Sequence, residues 1–209
     1  MRILIAVPTY ENIYPDTFKS IFDLDKCGHE CLFEFVRGYD CATARNAIAQ
    51  KARELKTDYV LMVDNDITLP KDALRYMLED AKDVCLGIYA HRGSGNRYEG
   101  RGTVFKLGEY NYSKESLYTA VELSQLAQEG NYKVRIHGGG MGCALVRTSL
   151  FEKLKFPWFD WVNYDDDKHS QLSEDLFFCE RCRKANIPIY TDTRVVCGHM
   201  FRFLQHMDT

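Results

Sequence analysis

The sequence predicts an α/β fold, a single domain built on a mostly parallel central sheet with helices on both faces. Three observations carry this. Four apolar, β-rich runs alternate with helical periodicity within the first 90 residues, the βαβαβαβ order of a parallel sheet with helical crossovers. The run Tyr59-Val60-Leu61-Met62-Val63 is apolar throughout, as a strand covered on both faces must be. At 209 residues, with 45% hydrophobic and 27% charged, the chain suits one packed domain and neither a disordered nor a fibrous protein.

Taken in order, residues 2–7 form the first strand and 15–24 the first helix. A second strand covers 31–36. The helix expected over 41–55 places Ala44, Ile48, Ala52 and Leu55 on one face. After the strand at 59–63, Pro70 is expected to open a helix running to 81, at a position where its missing N–H is harmless. Residues 84–89 give the fourth strand. Right-handed crossovers then bring the strand C-termini to one edge, where ligands of open α/β sheets collect.

The second half is less regular. Arg92, Arg97 and Arg101 lie among glycines in an expected loop at 92–102. Short strands at 103–107 and 133–136 flank a helix near 115–128. The run His137-Gly138-Gly139-Gly140-Met141-Gly142 precedes a strand at 143–146 and a helix at 148–153. An aromatic and acidic stretch follows, then a helix over 173–185 and two short strands leading to Cys197-Gly198-His199.

Several classes are excluded. A net charge of −3 removes the broad attraction of a generic nucleic-acid binder and leaves only a local basic patch open. No run of about 18 apolar residues exists, so no transmembrane segment is expected. The N-terminal apolar run is too short for a signal peptide, which places the chain in the cytoplasm. There, eight cysteines are expected as thiols. Cys179 and Cys182, three apart on a helix, read as core packing ahead of a metal pair or redox chemistry. Cys27 and Cys31 resemble half of a zinc site with no second half.

Candidate chemistry concentrates at four places. Asp64-Asn65-Asp66 ends the apolar strand, and two unpaired carboxylates side by side repel unless a cation such as Mg²⁺ or Mn²⁺ joins them. The competing reading is a solvated turn ahead of Pro70. The glycine run lets backbone approach a ligand, or forms a structural loop. Ser173-Glu174-Asp175 either caps a helix or supplies carboxylate chemistry. His199 is a metal ligand or a packed histidine. Further candidates are Trp158 and Trp161, as a sugar platform or as core, and His91-Arg92 with Arg97 and Arg101, as donor contacts or surface charges.

In this order and on this scaffold, these motifs resemble the GT-A glycosyltransferases, most closely the family-2-like group with its small bacterial and viral or phage members. The resemblance spans Val7-Pro8-Thr9-Tyr10, Ala44-Arg45-Asn46, Asp64-Asn65-Asp66, the glycine run, Glu174-Asp175 and Cys197-Gly198-His199. It implies one GT-A domain over 1–209, with a donor-binding half at 1–90 and an acceptor and catalytic half at 91–209. Pro8, Thr9, Tyr10, Glu11 and Asn65 would line the nucleotide, Arg45 would reach the base or diphosphate, and Gly139 and Gly140 would shape the sugar and acceptor pocket. Asp66 would bind Mn²⁺ or Mg²⁺ directly, Asp64 would act through its water shell or the ribose, and His199 would complete the coordination. Asp175 would be the general base, ionised at its ordinary pKa near 4, with Glu174 orienting substrate.

The implied reaction moves a sugar from a nucleotide-diphosphate donor, expected to be a UDP-sugar, to a glycan or other hydroxyl acceptor, with inversion. Processive members carry a Gln-x-x-Arg-Trp signature and membrane helices. The ending Phe201-Arg202-Phe203-Leu204-Gln205-His206-Met207 has neither, so transfer of a single sugar is expected. Two alternatives stand beside this reading. A nucleotidyltransferase should carry a glycine-rich, basic loop after the first strand, where Pro8-Thr9-Tyr10-Glu11-Asn12 stands instead. The other is a non-catalytic nucleotide- or carbohydrate-binding module or a zinc-stabilised scaffold.

Overall fold

The apolar runs of the first half become β1 (Arg2–Thr9), α1 (Pro15–Phe22), β2 (Glu30–Arg37), α2 (Cys41–Glu54), β3 (Tyr59–Val63), β4 (Ile67–Thr68), α3 (Ala73–Leu78) and β5 (Val84–Ile88). The computed structural model describes residues 1–10, 12–38, 40–91, 101–108, 112–163 and 171–200. The second half supplies β6 (Arg101–Phe105), β7 (Leu117–Thr119), α4 (Ala120–Gln128), β8 (Lys133–Ile136), β9 (Gly138–Gly139) and β10 (Cys143–Arg147). It continues through α5 (Leu150–Lys153), β11 (Val162–Asn163), β12 (Gln171–Leu172), α6 (Glu174–Lys184), β13 (Ile189–Val196) and β14 (Gly198–His199).

Seven strands form the central sheet in the order β2-β1-β3-β10-β5-β13-β8. Parallel pairs join β1 to β2, β1 to β3 and β5 to β13, whereas β10 runs against β3 and β5, and β8 against β13. Five strands therefore point one way and two oppose them. Strands from both halves of the chain interleave, and β10 enters between β3 and β5.

Alternation along β1 builds a core on each face. Ile3, Ile5 and Val7 pack with Ile21, Leu74 and Met77. Leu4 and Ala6 pack with Ile48, Ala49 and Ala52 of α2. Cys179 and Cys182 are both fully buried in the second of these clusters, the packing their spacing predicts. All eight cysteines are thiols. Among the described residues no helix is long and apolar enough to cross a membrane.

Three boundaries differ from the sequence reading by three residues or more. Pro70 lies outside α3, its carbonyl accepting from Ala73 N at 3.0 Å, so it makes the turn before the helix. That helix stops at Leu78 and a 3-10 turn follows, where Asp80 (φ 63°) and Ala81 (φ 45°) take left-handed backbone that an α-helix cannot continue through. The helix expected near 115 begins at Ala120, because Thr119 and Glu122 close a capping box that fixes its start. Residues 92–100, with Arg92 and Arg97, and residues 164–170 and 201–209 lie outside the described residues.

Candidate active site

At the C-terminal end of β3 the chain turns sharply. Asp64 N donates to Gly142 O at 2.9 Å and Ile67 N donates to Asp64 O at 3.1 Å. The two-residue β4 then pairs antiparallel with β14, setting His199 opposite Ile67 and beside Asp66. His199 Nε2 lies 3.8 Å from Asp66 Oδ2, and both side chains are nearly buried. His199 Nδ1 lies 2.7 Å from Ala90 O. A carbonyl only accepts, so Nδ1 holds the proton and Nε2 faces the carboxylate, as in histidines that ligate metals. The 3.8 Å separation falls inside the ~4.2 Å that two ligands at about 2.1 Å can span around one ion. Among the described residues no group of three or more His, Cys, Asp or Glu side chains is arranged to hold a metal by itself. The donor set of one carboxylate and one imidazole fits a Mn²⁺ or Mg²⁺ whose other ligands are water and phosphate oxygens.

Asp64 is placed differently from the sequence expectation. Arg45 Nη2 donates to Asp64 Oδ1 at 3.0 Å and Oδ2 at 3.2 Å, so this carboxylate already has a counter-charge. The two carboxylates are therefore not the unpaired pair expected from the sequence, since Arg45 supplies Asp64 with a cation from the protein itself. Arg45 itself is 1% exposed and lines neither of the cavities described below. Its Nε stands 3.4 Å from Asp175 Oδ1 and 3.6 Å from Glu174 Oε1. Burial alone would lower its pKa. Asp64, Asp175 and Glu174 outweigh that and hold the guanidinium charged.

Asp175 and Glu174 occupy the first turn of α6, which Ser173 caps through Leu176 N. Glu174 is buried against Arg45, while the Asp175 side chain keeps 21% exposure. Burial pushes the Asp175 carboxyl up to about 7, Arg45 pulls it down, Glu174 and Asp64 raise it, and a Met141 backbone N–H lowers it. The ordinary value near 4 expected from the sequence is thus corrected, because the environment disfavours the charged form. Asp175 Oδ1 is buried without a hydrogen-bond partner.

The glycine run has a packing reason. A Cβ on Gly140 would lie 2.2 Å from Tyr89 Oη, and one on Gly142 would lie 2.8 Å from the same atom. The space next to the loop backbone is taken by Tyr89. Gly139 is buried in β9, where a Cβ would meet Thr103 O at 2.8 Å.

Pro8, Asp64, Asn65, Asp66, Gly140, Asp175 and His199 line one cavity of about 370 Å³. An adjoining cavity of about 300 Å³, sharing Pro8, Cys41 and Asn65, is lined by Thr9 and Tyr10. Asn65 Nδ2 and Thr9 Oγ1 both donate to Asn12 O, at 2.7 and 2.9 Å, tying the loop after β1 to the acidic turn. Glu11 lies outside the described residues. Arg45, Glu174 and Gly139 sit behind the walls. Sequence reasoning missed Tyr89, Cys41, Thr103 and Phe105, which also line the main cavity. His91 lines it too.

The tryptophans divide. Trp158 is 3% exposed and Phe159 is 1% exposed, with Phe159 stacked on Phe178 at 4.8 Å. Asn46 holds this segment by accepting from Trp158 N and Phe159 N and donating to Phe159 O. Trp158 is therefore core, and Trp161, 46% exposed, is the tryptophan at the surface.

Comparison with known proteins follows this geometry. The family model for Glycosyl transferase family 2 matches residues 19–155. No curated protein matches the chain in sequence. Among solved structures, A197 from STIV superposes with a TM-score of 0.64 at 17% identity, over 97% of this chain and 87% of that one. GalNAc-T7, solved with UDP, GalNAc and Mn²⁺, gives 0.62 at 10% identity over 96% of this chain and 44% of that one. TarS 1-349 from S. aureus, in complex with UDP-GlcNAc, gives 0.54 at 16% identity over 99% of this chain and 60% of that one. At such identities the likenesses show a shared fold.

Proposed function

Because the chain belongs to glycosyl transferase family 2 and has a GT-A fold, we propose that it moves a single sugar from a nucleotide-diphosphate donor to a hydroxyl acceptor, with Asp175 as general base. One observation carries this reading. A single cavity has the Asp66–His199 pair and Asp175 on its wall, the Asp175 carboxylate turning Oδ1 back to Arg45 while its side chain keeps 21% exposure. A site for a charged leaving group and a site for a proton acceptor thus share one small space.

Asp66 and His199 would hold Mn²⁺ or Mg²⁺, which when bound supplies positive charge to a departing diphosphate. Pro8, Thr9, Tyr10 and Asn65 would bind the base and ribose in the adjoining cavity. Asp64, fixed by Arg45, would bind the ribose or the water shell of the metal. Asp175 takes the proton from the acceptor hydroxyl as that oxygen attacks the anomeric carbon, and Glu174 anchors Arg45 behind it. Direct attack from the opposite face inverts the configuration. UDP is the proposed nucleotide, and GalNAc-T7 and TarS, both solved with UDP or a UDP-sugar, support that choice. The half 1–90 would supply most of the donor contacts and the half 91–209 the base, with His199 the donor-side residue of the second half. Family membership sets the nucleotidyltransferase alternative aside.

Asp66→Ala tests the metal site. The variant is expected to keep its melting temperature within a few degrees and to bind donor in Mn²⁺ at least ~100-fold more weakly than the unaltered protein. Donor affinity equal to that of the unaltered protein in Mn²⁺ would remove Asp66 from the site.

A further inference from the structure

Tyr89 follows directly on β5, is 7% exposed and lines the main cavity. Its Oη accepts from Gly142 N at 2.9 Å. A phenol also has one hydrogen to give, and among the described residues no acceptor takes it. The hydroxyl is closely placed. Gly142 N–H of the glycine loop bonds Tyr89, and the adjacent Met141 N–H lowers the pKa of the Asp175 carboxyl, so both groups lie along one stretch of that loop. A methyl group built on Gly142 would touch both Tyr89 Oη (2.8 Å) and Asp64 Oδ2 (3.1 Å). On its other side the ring stands edge-to-face on His199, with centroids 5.4 Å apart.

We propose that Tyr89 is a direct substrate contact, its O–H donating a hydrogen bond to an oxygen of the transferred sugar. This rests on the transferase reading above. In that reading the diphosphate lies at Asp66 and His199 and the acceptor hydroxyl at Asp175, so the sugar lies between them. Tyr89 lines the same cavity as both, with its ring on His199 and its hydroxyl on the glycine loop at Gly142. The ligand class is a pyranose presenting a hydroxyl or N-acetyl oxygen to that wall. The contact adds specificity because a buried hydroxyl left without an acceptor penalises sugars that lack the oxygen.

The test is Tyr89→Phe, which keeps the ring and its contact with His199. UDP-glucose, UDP-galactose, UDP-GlcNAc and GDP-mannose are first offered to the unaltered protein with Mn²⁺. With the donor that turns over, Tyr89→Phe is expected to lower kcat/KM by about 10- to 100-fold. Affinity for the matching nucleoside diphosphate without sugar should change by less than about twofold, and the pH profile should keep its midpoint. Equal loss with the sugar-free nucleotide, or a shifted pH profile, would show that Tyr89 only supports the loop through Gly142. No loss with either ligand would make it a spectator. If Tyr89→Phe does not fold, deoxy-sugar donors with the unaltered protein replace it, and one of them must lose the same factor; uniform rates across the series would overturn the contact. Absence of turnover with every donor overturns the transferase reading itself, and the Tyr89 assignment with it.

Discussion

Asp175→Asn is expected to lower sugar transfer by ~10²–10⁴-fold while leaving donor affinity in Mn²⁺ within a few-fold of the unaltered protein. Asparagine nearly preserves shape and can no longer accept a proton. The base must be deprotonated to act, and its pKa stands at about 7 against an ordinary 3.8. In the unaltered protein kcat/KM should therefore rise about tenfold per pH unit below a midpoint no higher than about 7 and level off above it. A bound cation nearby would draw that midpoint downward. The sign for stability is opposite in sense. The native state keeps this proton to higher pH than the unfolded chain, so the group makes the fold less stable as pH rises from 3.8 through about 7. Single-turnover rates across pH, measured for both proteins, check the prediction. An Asp175→Asn protein with unchanged rates would place the base elsewhere.

Arg45→Met is expected to destabilise the protein by about 3–5 kcal/mol, because it leaves carboxylates facing one another without their buried counter-charge. Asp64 and Asp175 keep 29% and 21% side-chain exposure, so water offsets part of the loss and the lower half of that range applies. Arg45→Lys should recover only part of it, since one ammonium cannot reach all three partners as the guanidinium does. The deficit should shrink at pH 5.5, where Asp175 carries its proton, relative to pH 8. Urea denaturation at both pH values measures this. A full-strength fold in Arg45→Met at pH 8 would show that the three carboxylates need no common cation.

Much of the architecture was legible because burial on two faces leaves a plain trace. Strands at 2–7, 59–63 and 84–89 are apolar runs buried on both faces, whereas 31–36 is an edge strand with Phe33 and Phe35 exposed, and all four form. The insertion of β10 between β3 and β5 was not legible, since period-two patterning says that a strand is buried and not which neighbour it takes. The end of α3 was also hidden, because left-handed backbone at Asp80 and Ala81 has no glycine to announce it.

The site divides the same way. Asp64-Asn65-Asp66, Asp175 and His199 stood out as polar residues at the ends of apolar elements, and they line one cavity. Arg45 was identified, but its role was not, because a buried arginine on a helix looks like an exposed one until its partners converge. Tyr89 gave no signal beyond an aromatic residue ending a strand. Its trace was indirect, in glycines 140 and 142, whose missing side chains make room for its hydroxyl.

The central claim, that the Asp66–His199 pair and Asp175 serve one metal-dependent sugar transfer, is tested most directly on metal-stripped protein. Calorimetric titration with the four sugar nucleotides, each with and without Mn²⁺, should be followed by assay of nucleotide release. The account predicts binding of one donor that appears only with Mn²⁺, accompanied by slow release of its nucleoside diphosphate. Donor binding and release that proceed equally well without the metal would contradict it.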